Sequence, residues 1–163
     1  KVPGYIIAQV IGGFIGGVLV WLTYLPHWAA TPDPETKLAV FSTAPAIRRA
    51  GANLIAELIG GFMLVFALLA VISPGNFVPG SDLAKGFGPM LVGVIVASIG
   101  LSLGGPTGYA INPARDLGPR IAHAVLPIVG KGSSDWGYAW IPIVGPTIGG
   151  VLGALLYHVL WRS

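Results

Sequence analysis

The sequence predicts an all-α membrane protein. Three observations carry that prediction. Hydrophobic residues make up 54% of the 163 and charged residues only 9%, whereas soluble domains carry about 25% charged residues. Four stretches stay apolar over the roughly 20 residues that a bilayer crossing needs. Glycine (25) and proline (14) are abundant, and in membrane helices these permit close crossings and tolerated breaks. Cysteine is absent, so there is neither a disulfide framework nor a thiolate metal site. The net charge of +3 is small and its basic residues are scattered, which argues against a nucleic-acid surface.

The first span runs from about Gly4 to Leu25. Lys1-Val2-Pro3 leads directly into it, and its apolar run is too long for a signal-peptide core. The second span covers about Ala52 to Ile72 and contains one charge, Glu57. The third covers about Gly86 to Leu103, and the fourth about Tyr138 to Leu160. Between the first two lies a long connection, residues 26 to 51, rich in proline, threonine and charge. A connection of that length is often functional or a lid. Within it, His27 and Trp28 are placed at an outer mouth, and Arg48 and Arg49 at a solvated junction. Residues 73 to 85 read as a short polar turn, and residues 104 to 137 hold a charged patch. His158 and Trp161 fall where amphipathic rings meet a membrane interface.

The first and fourth spans resemble each other. Ile11, Gly12, Gly13, Gly16 and Leu19 match Ile148, Gly149, Gly150, Gly153 and Leu156. Internal repeats are frequent in transport folds, although shared composition gives part of the same match. Gly12/Gly16 and Gly149/Gly153 have the spacing that lets helices cross closely. The distribution of Lys and Arg among the connections does not choose an orientation.

The patch reads "GYAINPARDLGPR", residues 108 to 120. Asn112 is a favoured N-cap and Pro113 a favoured first helical residue. A helix starting there runs to about Val125, where Pro127 stops it. At 1.5 Å per residue that is roughly 20 Å, too short to span. The preceding "GGPTGYAI" favours extended backbone. Two readings stand at this point. One is an aqueous loop with a capped, solvated helix. The other is a helix folded into the membrane, where Arg115, Asp116 and Arg120 must face protein or a water-filled path. In that second case Asn112 caps its helix and aims its amide NH2 outward as a donor. Arg115 shares its face, three residues on. The carbonyls of Gly108, Tyr109 and Ala110 supply acceptors.

"GYAINPARDLGPR" resembles the second signature motif of the major intrinsic proteins, the aquaporins and aquaglyceroporins. "AELIGGFMLVF" around Glu57 is similar to the fourth helix of that family, and "FSTAP", residues 41 to 45, to a connection of its glycerol facilitators. The resemblance implies an aquaporin-like right-handed bundle. Of the family's six helices and two half-helices, this chain has four helices and one half-helix. It implies one channel domain over residues 1–163, which lacks the first two helices and the first Asn-Pro-Ala half-helix. The first and fourth spans then correspond to the family's third and sixth helices, equivalents in its inverted repeat.

The resemblance further implies motif residues Asn112, Pro113 and Ala114, and a pore with a filter at Arg115, Tyr109 and Gly100. Gly100 stands where strict water channels often carry His, and there it widens the filter. Asp116 marks the glycerol-conducting branch and, with Glu57, supports the re-entrant loop. Gln9 is structural. The implied function is a passive channel in the cell membrane for glycerol and water, in a homotetramer within the lipid bilayer. Cofactor, metal, nucleic-acid partner and enzyme chemistry are all absent from that reading. Other small neutral solutes such as lactic acid are an alternative. A coupled secondary transporter is another, and it needs mid-membrane ion ligands where only Glu57 is available. A non-transporting scaffold is a third, and it leaves Arg115 unexplained.

Overall fold

A computed structural model of the chain describes residues 1–73 and 83–161, with the backbone alone at 83–85. Its elements are α1 (Val2–Thr23), α2 (Leu25–Ala30), α3 (Pro34–Ala39), α4 (Ala50–Val71), α5 (Leu83–Leu103), α6 (Pro113–Val125) and α7 (Ile141–Leu160). Among the described residues, four helices are long and apolar enough to cross a membrane: α1, α4, α5 from Gly86, and α7. The polar turn expected over 73–85 falls mostly outside the described residues, and its last three residues begin α5. Arg162 lies outside them too. The fourth span begins three residues later than expected. Tyr138 to Trp140 form a turn, and α7 starts at Ile141 with Pro142 in its first turn.

Large apolar side chains of α1 and α7 point outward, including Ile7, Ile11, Ile15, Val151, Leu155 and Val159. That arrangement suits a lipid solvent, in which packing between helices needs close backbone approach rather than apolar burial. Two pairings organise the bundle. α7 lies on α4 and α6 lies on α1, with α5 also against α4 and α6 touching α7. In the first pairing a Cβ on Gly149 would stand 2.0 Å from the Leu58 carbonyl oxygen. In the second, a Cβ on Gly118 would stand 2.6 Å from the Val10 carbonyl oxygen. On α1 the crossing falls on Gly13 and Gly17, not on the Gly12/Gly16 pair. Cβ atoms there would lie 2.8 Å from the Ala114 carbonyl oxygen and 2.8 Å from the Ala122 Cβ, whereas Gly12 and Gly16 meet nothing within 4 Å in this chain.

The long connection is not a bare loop. Asp33 caps α3, accepting from the Glu35 and Thr36 amides at 3.1 and 3.0 Å. The Thr36 hydroxyl, then the Thr36 and Glu35 amides, hold its carboxyl below the ordinary range. Beyond α3 the chain folds inward. Trp28, Phe41, Ala122 and Ile128 form a buried cluster, with Phe14, Trp21 and Leu126 packed on it. This cluster brings the connection against α6 and thereby positions the site.

The α4–α7 contact has no room for a side chain at residue 149. Gly149→Leu should destabilise the protein by about 1–3 kcal/mol or more, as overpacked cores are. Thermal unfolding of the detergent-solubilised protein measures the loss; an unchanged midpoint would contradict this packing.

Candidate functional site

The site begins where the chain leaves α5. Residues 104 to 111 form no helix, and three of them take left-handed backbone: Gly108 (φ 77°), Tyr109 (φ 43°) and Ile111 (φ 46°). For residues with a Cβ such conformations cost about 1–3 kcal/mol each and persist only where surroundings hold them. The holding group is Glu57 of α4, whose side chain is buried at 1% exposure. One carboxylate oxygen accepts from the Thr107 hydroxyl (2.7 Å) and the Ala110 N–H (2.9 Å). The other accepts from the Ile111 N–H at 2.9 Å. Backbone N–H groups away from water need such acceptors. An ionised carboxylate only accepts, so these bonds commit Glu57 to the loop. Next along α4, Gly60 leaves space for Ile111, whose Cγ2 would stand 2.9 Å from a Cβ there.

α6 follows as the sequence predicts. Asn112 is extended (φ −152°, ψ 122°), its side-chain oxygen accepts from the Ala114 N–H at 2.8 Å, and Pro113 opens the helix. The Asn112 Nδ2 donates to the Gln9 Oε1 at 3.2 Å. An amide carries two N–H donors, so a second donor stays available beside Gln9. The helix ends at Val125, ahead of Pro127. Its last carbonyls have no partner within the helix. Lys131 supplies one, donating to the carbonyls of His123 (2.8 Å), Ala124 (2.7 Å) and Leu126 (2.6 Å). A cation there also opposes the negative end of the helix dipole. Lys37, buried, donates to the Val129 carbonyl just beyond.

The three charges of the patch divide between two faces. Asp116 and Arg120 are fully buried. Arg120 Nε donates to Asp116 Oδ1 (2.7 Å) and its Nη2 to Oδ2 (2.9 Å), a bidentate pair. The same guanidinium donates to the carbonyls of Thr43 (2.9 Å), Ser134 (2.7 Å) and Asp135 (3.1 Å). Asp116 Oδ2 also accepts from the Thr43 N–H (2.8 Å) and hydroxyl (2.7 Å). These bonds tie α6 to the connections on both sides of it. Arg115 is exposed, and its Nη1 donates to the Phe41 carbonyl at 3.2 Å. So the buried charges face protein, and the single exposed one stands on the open side beside Asn112.

Tyr109 is 39% exposed. Its ring covers Gly100 and Gly104, with ring atoms 2.9 Å and 2.8 Å from where their Cβ atoms would be. The room expected at Gly100 is therefore occupied by the Tyr109 ring. Ala110 is fully buried, and its carbonyl accepts from the Asn112 N–H. Trp28 is buried at 4% exposure in the aromatic cluster, while His27 is exposed. Arg48 pairs with Asp135 and lies 5.6 Å over the Tyr138 ring. That ion pair raises its guanidinium pKa further. Thr43, Ser134, Lys37 and Lys131 were not singled out from sequence. Only the four-residue spacing of Asp116 and Arg120, which places them on one helix face, announced part of this network.

Fold and site together define a multi-pass membrane protein built around one short helix whose capped start is held among the spanning helices. The family model described as major intrinsic protein matches residues 1–157, and the chain belongs to that family. It is 60% identical over 161 residues to a probable glycerol uptake facilitator protein of Thermotoga maritima, covering 99% of this chain and 66% of that one. It is 53% identical over 163 residues to a glycerol uptake facilitator protein of Bacillus subtilis, covering 100% and 57%. Its structure matches the X-ray structure of the aquaglyceroporin from Plasmodium falciparum with a TM-score of 0.81 at 29% identity, over 99% of this chain and 65% of that one. The architecture is thus the aquaporin-like helical bundle. The chain spans 57% to 66% of the length of these curated relatives.

Glu57→Gln keeps the size of the side chain but turns one acceptor oxygen into a donor facing an N–H or hydroxyl. We expect a loss of about 1–3 kcal/mol, the cost of stranding a buried polar group, read as a lower unfolding midpoint in detergent. Removing Arg120 alone (Arg120→Met) leaves Asp116 buried and unpaired and should cost about 3–5 kcal/mol. In the Asp116→Asn background the same change should cost less, because neighbouring effects do not add. Additive losses would show that the pair does not act as a unit.

Proposed function

We propose that this chain lines a passive channel for small neutral solutes, with glycerol the principal solute and water passing with it. The observation that supports it most is the open face at the start of α6. There the Asn112 amide is bonded to Gln9, the Arg115 guanidinium is exposed and bonded to the Phe41 carbonyl, and Tyr109, three residues before Asn112, is 39% exposed. Buried Ala110 and Ala114 lie between them in sequence, and buried Asp116 follows Arg115. Donor groups combined with an aromatic ring suit a polyol, which has a hydroxyl edge and a carbon edge. The start of α6 carries about half a positive charge, and Arg115 adds a full one, so cations are opposed. Pore width and lining groups then set selectivity. The names of the two bacterial relatives agree with this solute class. In the proposed assembly, four copies carry one pore each, and the relatives, of whose length this chain spans 57% to 66%, have further segments to line it.

A cation-coupled transporter fits less well. Among the described residues, the carboxylate on a spanning helix is Glu57, which is committed to Thr107, Ala110 and Ile111.

Liposomes carrying the full-length channel provide the test. Stopped-flow swelling with glycerol, erythritol and lactic acid should give glycerol flux linear in its gradient and indifferent to cation gradients. Arg115→Ala should raise erythritol passage relative to glycerol. Saturating, cation-driven uptake would overturn the proposal, and faster lactic acid than glycerol flux would reassign the solute.

A further inference from the structure

Arg115 projects on the open face, but one of its nitrogens is bonded to the Phe41 carbonyl at 3.2 Å. What fixes that carbonyl lies away from the open face. The Phe41 ring is 2% exposed. It stacks on Trp28, with centroids 5.5 Å apart and planes 29° apart. It also meets the His123 ring edge-on at 5.4 Å. Each of those rings is anchored in turn. Trp28 Nε1 donates to the Trp21 carbonyl near the end of α1 at 2.9 Å, and His123 Nδ1 shares a hydrogen bond with the Ser134 hydroxyl at 2.8 Å. Two residues on, Thr43 is held by Asp116 and Arg120. The N–H groups of Phe41 and Ser42 both donate to the Leu38 carbonyl, at 2.9 and 3.0 Å. Residues 41 to 43 are therefore a strap fixed at both ends, with its first carbonyl aimed at Arg115.

We infer that Trp28 and Phe41 are positioning residues for Arg115: their stacked rings fix the strap whose carbonyl sets where the guanidinium stands, and hence how wide a solute can pass. The inference rests on reading Arg115 as part of the solute filter. An exposed arginine has many rotamers, and a hydrogen bond weakens steeply as its geometry departs from alignment. A rigid acceptor thus selects one guanidinium position, and a loose one does not. Trp28 itself is buried behind Phe41. Its effect on solute choice would therefore be transmitted through the strap.

The experiment compares the erythritol-to-glycerol permeability ratio in liposomes carrying the full-length channel, normalised to reconstituted protein. Trp28→Ala should raise the ratio by about tenfold, the worth of one charge-assisted hydrogen bond. Trp28→Phe, which restores a ring, should keep the wild-type ratio. In the Arg115→Ala background, Trp28→Ala should change the ratio no further, since both act on one group. Phe41→Leu preserves the apolar fill and the carbonyl but removes the stack. It should shift the ratio in the same direction, and it serves if Trp28→Ala does not assemble. A shifted ratio in Arg115→Ala with wild-type ratios in Trp28→Ala and Phe41→Leu would overturn the positioning role while leaving the filter reading intact. Independent, multiplying effects of Trp28→Ala and Arg115→Ala would overturn it as well. An unchanged ratio in Arg115→Ala would overturn the filter reading itself.

Discussion

A backbone N–H removed from water must find an acceptor, and at membrane depth the protein has to supply it. Residues 104 to 111 cannot meet that demand by forming a helix, because Gly108, Tyr109 and Ile111 hold left-handed backbone. Glu57 meets it from another helix. Everything else at the site follows from that anchorage. It fixes the run leading into Asn112, lets α6 start among the spanning helices, and leaves the Tyr109 ring lying across Gly100 and Gly104. A carboxylate suits this task because its two oxygens accept several bonds and donate none.

The charges of α6 have opposite relations to their surroundings. Asp116 and Arg120 are fully desolvated, which is costly, and are retained in a geometry that uses Nε, Nη1 and Nη2 of the guanidinium. Arg115 stands on the open side with the Phe41 carbonyl as its partner. The buried pair holds the helix and the strap together. At the other end of α6, Lys131 satisfies the carbonyls that a short helix leaves unbonded. The helix is thus capped by Asn112, clamped by Arg120 along its length, and closed by Lys131.

The spans were legible because lipid leaves a composition signal that does not depend on partners. α6 was legible because its limits are written locally, in Asn112-Pro113 and Pro127. Its anchors were not. Thr43 and Asp116 are 73 residues apart, and Glu57 and Ala110 are 53 apart, so no local pattern joins them. Sequence alone places Trp28 with His27 at an outer mouth, because nothing in its neighbourhood announces Phe41 beneath it. The glycines show a finer limit. Spacing proposed Gly12 and Gly16 for the crossing, but the face of α1 that meets α6 carries Gly13 and Gly17. In a helix with two adjacent glycine pairs, only the position of the neighbour decides which pair is used.

Chain order adds a consequence for biogenesis. The acceptor at Glu57, the strap at 41 to 43 and the groove at Gly13 and Gly17 all precede α6 in the sequence. A ribosome therefore completes most of the socket before it makes the piece that fits there. Ile128, Lys131, Ser134, Asp135 and the helix α7 arrive afterwards, and they close over a helix whose first partners are already made. Asp116 and Arg120 are synthesised after Thr43, one of their partners, which shortens the time those charges stand in lipid without it.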